Sequence, residues 1–102
     1  MPQQQGSTKE RLSIREPGKY TVVIYNDDFT PMDLVVLILM QIFFMPHEKA
    51  YSLMMGIHQG DKARVGEYTF DIAASKASLA IQTARREGYP LRVEVEPVEK
   101  SS

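Results

Sequence analysis

The feature that most constrains how this chain folds is an apolar run from Leu34 to Phe44, which only Gln41 interrupts. The run is too short to span a bilayer, which takes about 20 consecutive apolar residues. If it is helical, it is apolar around most of its girth, which is typical of a heavily buried helix. We therefore predict a core helix that extends to about Phe44 and is broken by Met45-Pro46.

The segment Thr30-Pro31-Met32-Asp33, directly before this run, has the composition of a helix start. We expect Thr30 to be the N-cap and Pro31 to occupy the first helical position, where its missing N–H has no cost. Asp33 follows the cap by three residues and approximates a capping box. The helix is thus predicted to begin at this segment.

Three segments have the character of β-strands. Tyr20 to Tyr25 is rich in β-branched and aromatic residues. Ala63 to Thr69 is a weaker candidate, and its Gly66 indicates a bulge. Leu91 to Glu96 alternates between apolar and charged residues, which suits an antiparallel sheet with one solvated face.

Two further helices are predicted from the prolines and glycines that bound them. One is predicted from about Pro46 to about His58, with Gly60 as its stop, and the other from about Asp71 to Glu87, ended by Gly88. Apolar spacing in the latter is supplied by Ile72, Leu79 and Ala80.

The predicted order is β-α-α-β-α-β, which gives an α+β fold: a two-layer sandwich of a three-stranded antiparallel sheet and three helices. With 102 residues, the chain is expected to form one domain. Residues 1–18 are polar and are predicted to be a flexible N-terminal extension, residues 19–97 a core domain, and residues 98–102 a frayed tail.

Several classes of function are disfavoured by the composition. A formal net charge of −1 argues against a nucleic-acid binder, and the lack of cysteine is compatible with a reducing cytosol. The N-terminus lacks the pattern of a secretory signal, so a cytoplasmic protein without a membrane partner is expected. His47 and His58 do not have metal-binding spacing, and there is no glycine-rich phosphate loop. We expect no metal and no cofactor.

Asn26, Asp27 and Asp28 form a cluster of acceptor side chains between the first strand and the apolar helix. One interpretation is ordinary turn chemistry, in which these side chains bond their own backbone. The other is an anionic cradle for an ammonium group. His58, near the end of the second helix, has two similar interpretations: it bonds terminal carbonyls, or it adds an acceptor to the cradle.

Apolar residues at helical spacing occur beside these polar groups. Met32 and Val35 share one helix face, and Met54 shares another with Ile57 and His58. Such stripes usually belong to a core. The chain has six methionines, however, and their flexible thioethers adapt to varied apolar guests, so a wall of Met32 and Met54 also suits a binding pocket.

The string from Val22 to Met32 resembles the signature of the ClpS family, bacterial adaptors that hand N-end-rule substrates to the ClpAP protease. Supporting similarity occurs in 53–58, 66–73 and 88–91 and at Lys76, so the resemblance covers roughly Lys19 to Glu96. It implies an adaptor without catalytic residues, which binds the free N-terminus of proteins beginning with Leu, Phe, Tyr or Trp and delivers them to the ClpA unfoldase.

The resemblance also implies a role for individual residues. The α-amino group would be held by Asn26, Asp27 and His58. The first side chain would be surrounded by Asp27, Thr30, Met32, Val35, Met54, Ile57 and Leu91, with Met32 as a gate against β-branched residues. The N-terminal domain of ClpA would contact Asp71 and Lys76, and the extension 1–18 would be engaged by ClpA during delivery.

Two other functions remain open from the sequence. One is a docking module for a protease or translation factor that does not read N-terminal residues. The other is a small hydrolase that uses Asp27, Asp28 and His58, although no nucleophile or oxyanion donor is evident.

Overall fold

The computed structural model describes residues 18–98. The predicted extension 1–18 and tail 98–102 therefore lie outside the described residues, apart from Gly18 and Val98. The elements are β1 (Tyr20–Tyr25), α1 (Met32–Gln41), α2 (His47–Gly60), β2 (Lys62–Tyr68), α3 (Phe70–Arg86) and β3 (Arg92–Pro97). The predicted order β-α-α-β-α-β and the α+β class are confirmed. The second and third strands are each displaced by one residue from their predicted bounds.

The sheet has the order β2-β1-β3, with both pairings antiparallel. Val22 pairs with Gly66 whereas Val23 pairs with Arg64, so one residue of β2 is extra at this point. The predicted bulge at Gly66 is thus confirmed. A Cβ atom at Gly66 would lie 2.5 Å from the hydroxyl oxygen of Tyr68, so a larger residue here would require the Tyr68 side chain to move.

The core lies between one face of the sheet and the three helices. Val22 and Ile24 of the central strand are fully buried in it, as are Ile38 and Leu39 of α1. The predicted heavy burial of the apolar run is confirmed. Among residues 18–98, no helix is long and apolar enough to cross a membrane.

The start of α1 differs from the predicted capping box. Pro31, in an extended conformation with φ −65° and ψ 146°, is the N-cap residue, and no side chain caps this end. Thr30, the predicted N-cap, precedes the cap residue, and its hydroxyl donates to Asp27 Oδ2 at 2.8 Å. The backbone N–H groups of Leu34 and Val35 donate instead to the carbonyl of Pro31.

α1 also ends earlier than predicted, at Gln41 rather than about Phe44. Phe44 adopts a left-handed conformation with φ 58°, which a helix cannot continue through. The Lys76 ammonium donates to the carbonyl of Ile42 at 2.7 Å, and thereby satisfies a helix-end acceptor from another element.

The stop of α2 is Asp61 and not Gly60, because Asp61 takes the left-handed conformation (φ 76°). Aspartate tolerates this region better than most residues. At the end of α3, by contrast, Gly88 has φ 87°, as expected of a terminating glycine.

The buried face of α3 is formed by alanines and not by its larger apolar residues. Ile72 and Leu79 are 48% and 49% exposed, whereas the side chains that face the core are alanines: Ala73, Ala77, Ala80 and Ala84. Of the three residues that supply the apolar spacing, only Ala80 is buried. Small side chains let a helix pack close to its neighbours, so the larger apolar residues are left on the outside.

Candidate functional site

The turn between β1 and α1 is built around the Asp27 carboxylate. Its Oδ1 accepts hydrogen bonds from the backbone N–H groups of Phe29 (2.8 Å) and Thr30 (2.7 Å), and its Oδ2 accepts from the Thr30 hydroxyl. The backbone N–H of Asn26 donates to the carbonyl of Asp61 at 2.7 Å, which ties this turn to the end of α2. Asp27 therefore performs the turn chemistry expected of an Asx residue.

The charge state of Asp27 follows from the same contacts. Partial burial is the largest single influence and raises its pKa. The hydrogen bonds from the Thr30 N–H, the Phe29 N–H and the Thr30 hydroxyl together outweigh burial, so that the pKa of Asp27 is lowered below its ordinary value. The carboxylate is therefore ionised at neutral pH.

Acceptor capacity remains after the turn is formed. A carboxylate has about four lone-pair sites, and the turn uses three of them on Asp27. Asn26, Asp28 and His58 are solvent-exposed, and their side chains make no hydrogen bond to any of residues 18–98. The turn and the end of α2 thus present acceptors to a ligand.

A cavity of about 340 Å³ opens beside these acceptors. Its wall consists of Asn26, Asp27, Asp28, Phe29, Thr30, Pro31, Met32, Val35, Met54, Ile57 and His58. Val35, Met54 and Ile57 are buried side chains of the core, whereas Met32 is 45% exposed. The cavity has an acceptor-rich pole and an apolar wall.

All but one of the residues predicted for this site line the cavity. The exception is Leu91, which is 2% exposed, belongs to the core cluster and is not part of the wall. Sequence reasoning missed Phe29 and Pro31, which lie on the rim. Their sequence position could have predicted this, because Phe29 and Pro31 lie between residues that were themselves considered for the site.

The residues predicted for partner contact lie on α3 and do not line the cavity. Asp71 is exposed in the first turn of this helix. Lys76 is half-buried: besides its bond to the Ile42 carbonyl, its ammonium lies 4.5 Å from the ring centre of Phe44 and 5.5 Å from that of Tyr68. Lys76 thus has a structural role of its own.

The chemistry of the site favours binding a cation with N–H donors next to an apolar group. Asp27 is a weak candidate for a general base, because its lone pairs are largely occupied and its pKa is lowered. Within residues 18–98, no cluster of three or more histidine, aspartate or glutamate side chains is arranged to hold a metal ion.

Comparison with known proteins identifies close relatives. The family model described as "ATP-dependent Clp protease adaptor protein ClpS" matches residues 15–94. The ATP-dependent Clp protease adapter protein ClpS of Nitratidesulfovibrio vulgaris (strain DP4) is 42% identical over 85 residues, which cover 83% of this chain and 82% of that protein. The protein of the same name from Treponema denticola is 43% identical over 83 residues, covering 81% and 82%.

A solved structure is similar as well. Agrobacterium tumefaciens ClpS2 bound to L-phenylalaninamide superimposes with a TM-score of 0.80 at 34% sequence identity. The match covers 81% of this chain and 100% of that one. The likeness therefore extends over the whole of the solved domain.

Proposed function

Because this chain belongs to the ClpS family of ATP-dependent Clp protease adaptor proteins, we propose that it binds proteins by a free N-terminal Leu, Phe, Tyr or Trp. It would deliver them to the ClpA unfoldase of ClpAP for degradation, in the cytoplasm. Similarity to a structure solved with L-phenylalaninamide supports this proposal, since that molecule combines a free α-amino group with an aromatic side chain.

The observation that carries the proposal is that acceptor side chains and an apolar wall line one cavity. An α-ammonium has three N–H donors and requires acceptors of the kinds that Asn26, Asp27 and neutral His58 supply. The first side chain would be surrounded by Thr30, Met32, Val35, Met54 and Ile57. Leu91, which the resemblance also implies for this pocket, is buried in the same core cluster as Val35, Met54 and Ile57 and stays part of the proposal.

The energetics are sufficient for capture and release. Hydrogen bonds to a charged group contribute about 1.5–3 kcal/mol each, and burial of a leucine or phenylalanine side chain adds about 1.5–3 kcal/mol. After the cost of association, micromolar affinity is expected, at about −8 kcal/mol. The cavity, at about 340 Å³, is at the lower end of the range for ligand pockets and has room for one large side chain.

Selectivity for a free N-terminus follows from the same pairing. An internal phenylalanine carries no ammonium, so its binding would remove water from Asp27 without replacing it by a cation. Met32, half exposed among the residues of the cavity wall, would restrict side chains that branch at Cβ. The unpaired charge therefore discriminates as strongly as the apolar wall.

The test is a titration of two peptides that differ only in N-acetylation and both begin with phenylalanine. We expect micromolar binding of the free peptide and no detectable binding of the acetylated one, measured by calorimetry. Equal binding of both would refute recognition of the N-terminus and would favour a docking module that does not read it. A panel with other first residues then ranks Leu, Phe, Tyr and Trp.

Contact with the N-terminal domain of ClpA is a separate part of the proposal. Asp71 is exposed and available for it. Lys76, proposed for the same contact, is half-buried on the same helix, and its ammonium also bonds the Ile42 carbonyl. We expect Asp71→Asn to weaken binding of that domain and to leave peptide binding unchanged. Glu87→Gln, which removes an exposed acid at the other end of α3, is the matched control. Equal effects of both changes on binding of the ClpA domain would show that Asp71 is not part of the contact.

A further inference from the structure

A second apolar concavity adjoins the first cavity, along the seam between α1 and α2. Its volume is about 610 Å³, and we call it the seam groove. Met32 and Met54 line both spaces, so the groove begins where the first cavity ends. Its wall consists of Met32, Asp33, Val36, Leu37, Met40, His47, Tyr51, Met54 and Met55.

The seam groove has the length of a short peptide. Its wall on α1 extends from Met32 to Met40, which at a rise of about 1.5 Å per residue corresponds to roughly 12 Å. An extended chain advances about 3.3 Å per residue, so three to four residues fit along it. Leu37 and Tyr51 are 42% and 50% exposed, which leaves large apolar surfaces for a ligand.

The direction of a bound chain is set by the acceptors. None of Asn26, Asp27 and His58 lines the seam groove. Met32 and Met54 line both spaces. If a bound protein has its α-amino group at those acceptors and its following residues leave past these two methionines, the groove lies along its path.

We propose that the seam groove is a second substrate subsite, which takes an apolar side chain at the third position of the bound N-terminus. This inference rests on the proposed function. In an extended chain, successive side chains alternate, so the first and third face the same way and lie about 6.6 Å apart. With the first in its cavity, the third enters the groove and the second faces solvent. The flexible thioethers of Met32, Met40, Met54 and Met55 adapt to different guests.

The experiment compares peptides that all begin with phenylalanine and are otherwise made of serine and glycine. We expect a leucine at the third position to tighten binding about tenfold over serine, and a leucine at the second position to change it by less than about twofold. Fluorescence anisotropy with the full chain measures both. NMR spectra of the wild-type protein should show the methyl groups of Met40 and Met55 shifting with the third-position leucine peptide only.

Two variants test whether the preference for leucine at the third position arises in the seam groove. Leu37→Gln changes the groove without touching the first cavity, and it should reduce the tenfold preference to about threefold or less. Leu79→Gln makes the same change at a similarly exposed leucine of α3 and should leave the preference intact. Urea titration confirms that both variants fold.

Equal binding of the leucine and serine peptides to the wild type would overturn the subsite, as would a tenfold preference that Leu37→Gln leaves unchanged. Either result leaves the contrast between free and acetylated peptides standing, and so leaves the proposed function standing. Failure of every phenylalanine-initiated peptide to bind overturns both. A dimer that Leu37→Gln dissociates, or loss of ClpA binding without a change in peptide preference, would assign the groove to that partner instead.

Discussion

Substitution Asp27→Asn separates the charge of the proposed ammonium site from the geometry of its turn. The asparagine carbonyl can still accept from the backbone N–H groups of Phe29 and Thr30, as Oδ1 of Asp27 does at 2.8 and 2.7 Å. The amide group replaces Oδ2, and the Thr30 hydroxyl then accepts from it instead of donating. The turn is therefore preserved while the negative charge is removed.

The expected loss of affinity follows from the kind of hydrogen bond that changes. A hydrogen bond to a charged partner contributes about 1.5–3 kcal/mol, and one between neutral groups about 0.5–1.5 kcal/mol. The lone pair of Asp27 that the turn leaves free is on Oδ2, which the substitution replaces by an N–H donor, so the ligand loses this charged hydrogen bond altogether. We expect binding of a phenylalanine-initiated peptide to weaken by about 1.5–3 kcal/mol, roughly 10- to 150-fold. Because the backbone bonds survive, the free energy of unfolding should fall by about 1 kcal/mol or less.

Fluorescence anisotropy of a dye-labelled peptide measures the affinity, and urea unfolding of the same samples measures the stability. Asp28→Asn is the matched control, because it makes the same charge change at an adjacent exposed residue of the cavity. We expect that control to weaken binding by less than about threefold, as is usual for a solvated charge. Binding of Asp27→Asn within twofold of the wild type would refute the contact. An equal loss of affinity in Asp28→Asn would show that the peptide responds to the overall negative charge of the turn and not to a contact with Asp27.

Three further outcomes are expected. The hydrogen bonds hold the pKa of folded Asp27 below its unfolded value. Its contribution to stability is therefore present above about pH 4 and is lost as pH falls through the folded pKa. Between pH 7 and 3, the urea midpoint should fall more steeply for the wild type than for Asp27→Asn. Ala80→Leu inserts three carbons into the closed core and should lower the free energy of unfolding by about 1–3 kcal/mol, whereas Leu79→Ala at the exposed neighbour should change it by about 0.5 kcal/mol or less, both by urea titration. Lys76→Met removes the ammonium that bonds the Ile42 carbonyl and should cost about 1–2 kcal/mol in the same assay; an unchanged midpoint would contradict its structural role.

Much of the fold could be predicted because its signals are local. The apolar run of α1, the β-branched residues of β1 and the bulge at Gly66 each depend on residues that are neighbours in sequence. Element ends were predicted less well, because contacts from elsewhere decide them. Lys76 of α3 bonds the carbonyl of Ile42 just beyond α1, a contact between residues 34 positions apart that no local pattern records.

The buried face of α3 shows the same limit. Its sequence contains both larger apolar residues and an alanine stripe, and hydrophobicity alone favours Ile72 and Leu79 as core residues. The close approach of the helix to the sheet selects the alanines, since only small side chains fit there.

For the candidate site, the sequence by itself determined the residue types: a carboxylate and an amide in a turn, a histidine at a helix end and methionines with helical spacing. It also determined the turn, because Asp27 bonds the backbone two and three residues ahead. Only the tertiary structure brought His58 and Met54 of α2 to the same cavity as Asn26 and Met32, and placed Leu91 in the core. The physical reason is that side-chain and backbone bonding over a few residues is local, whereas a cavity exists only where packed elements leave space between them.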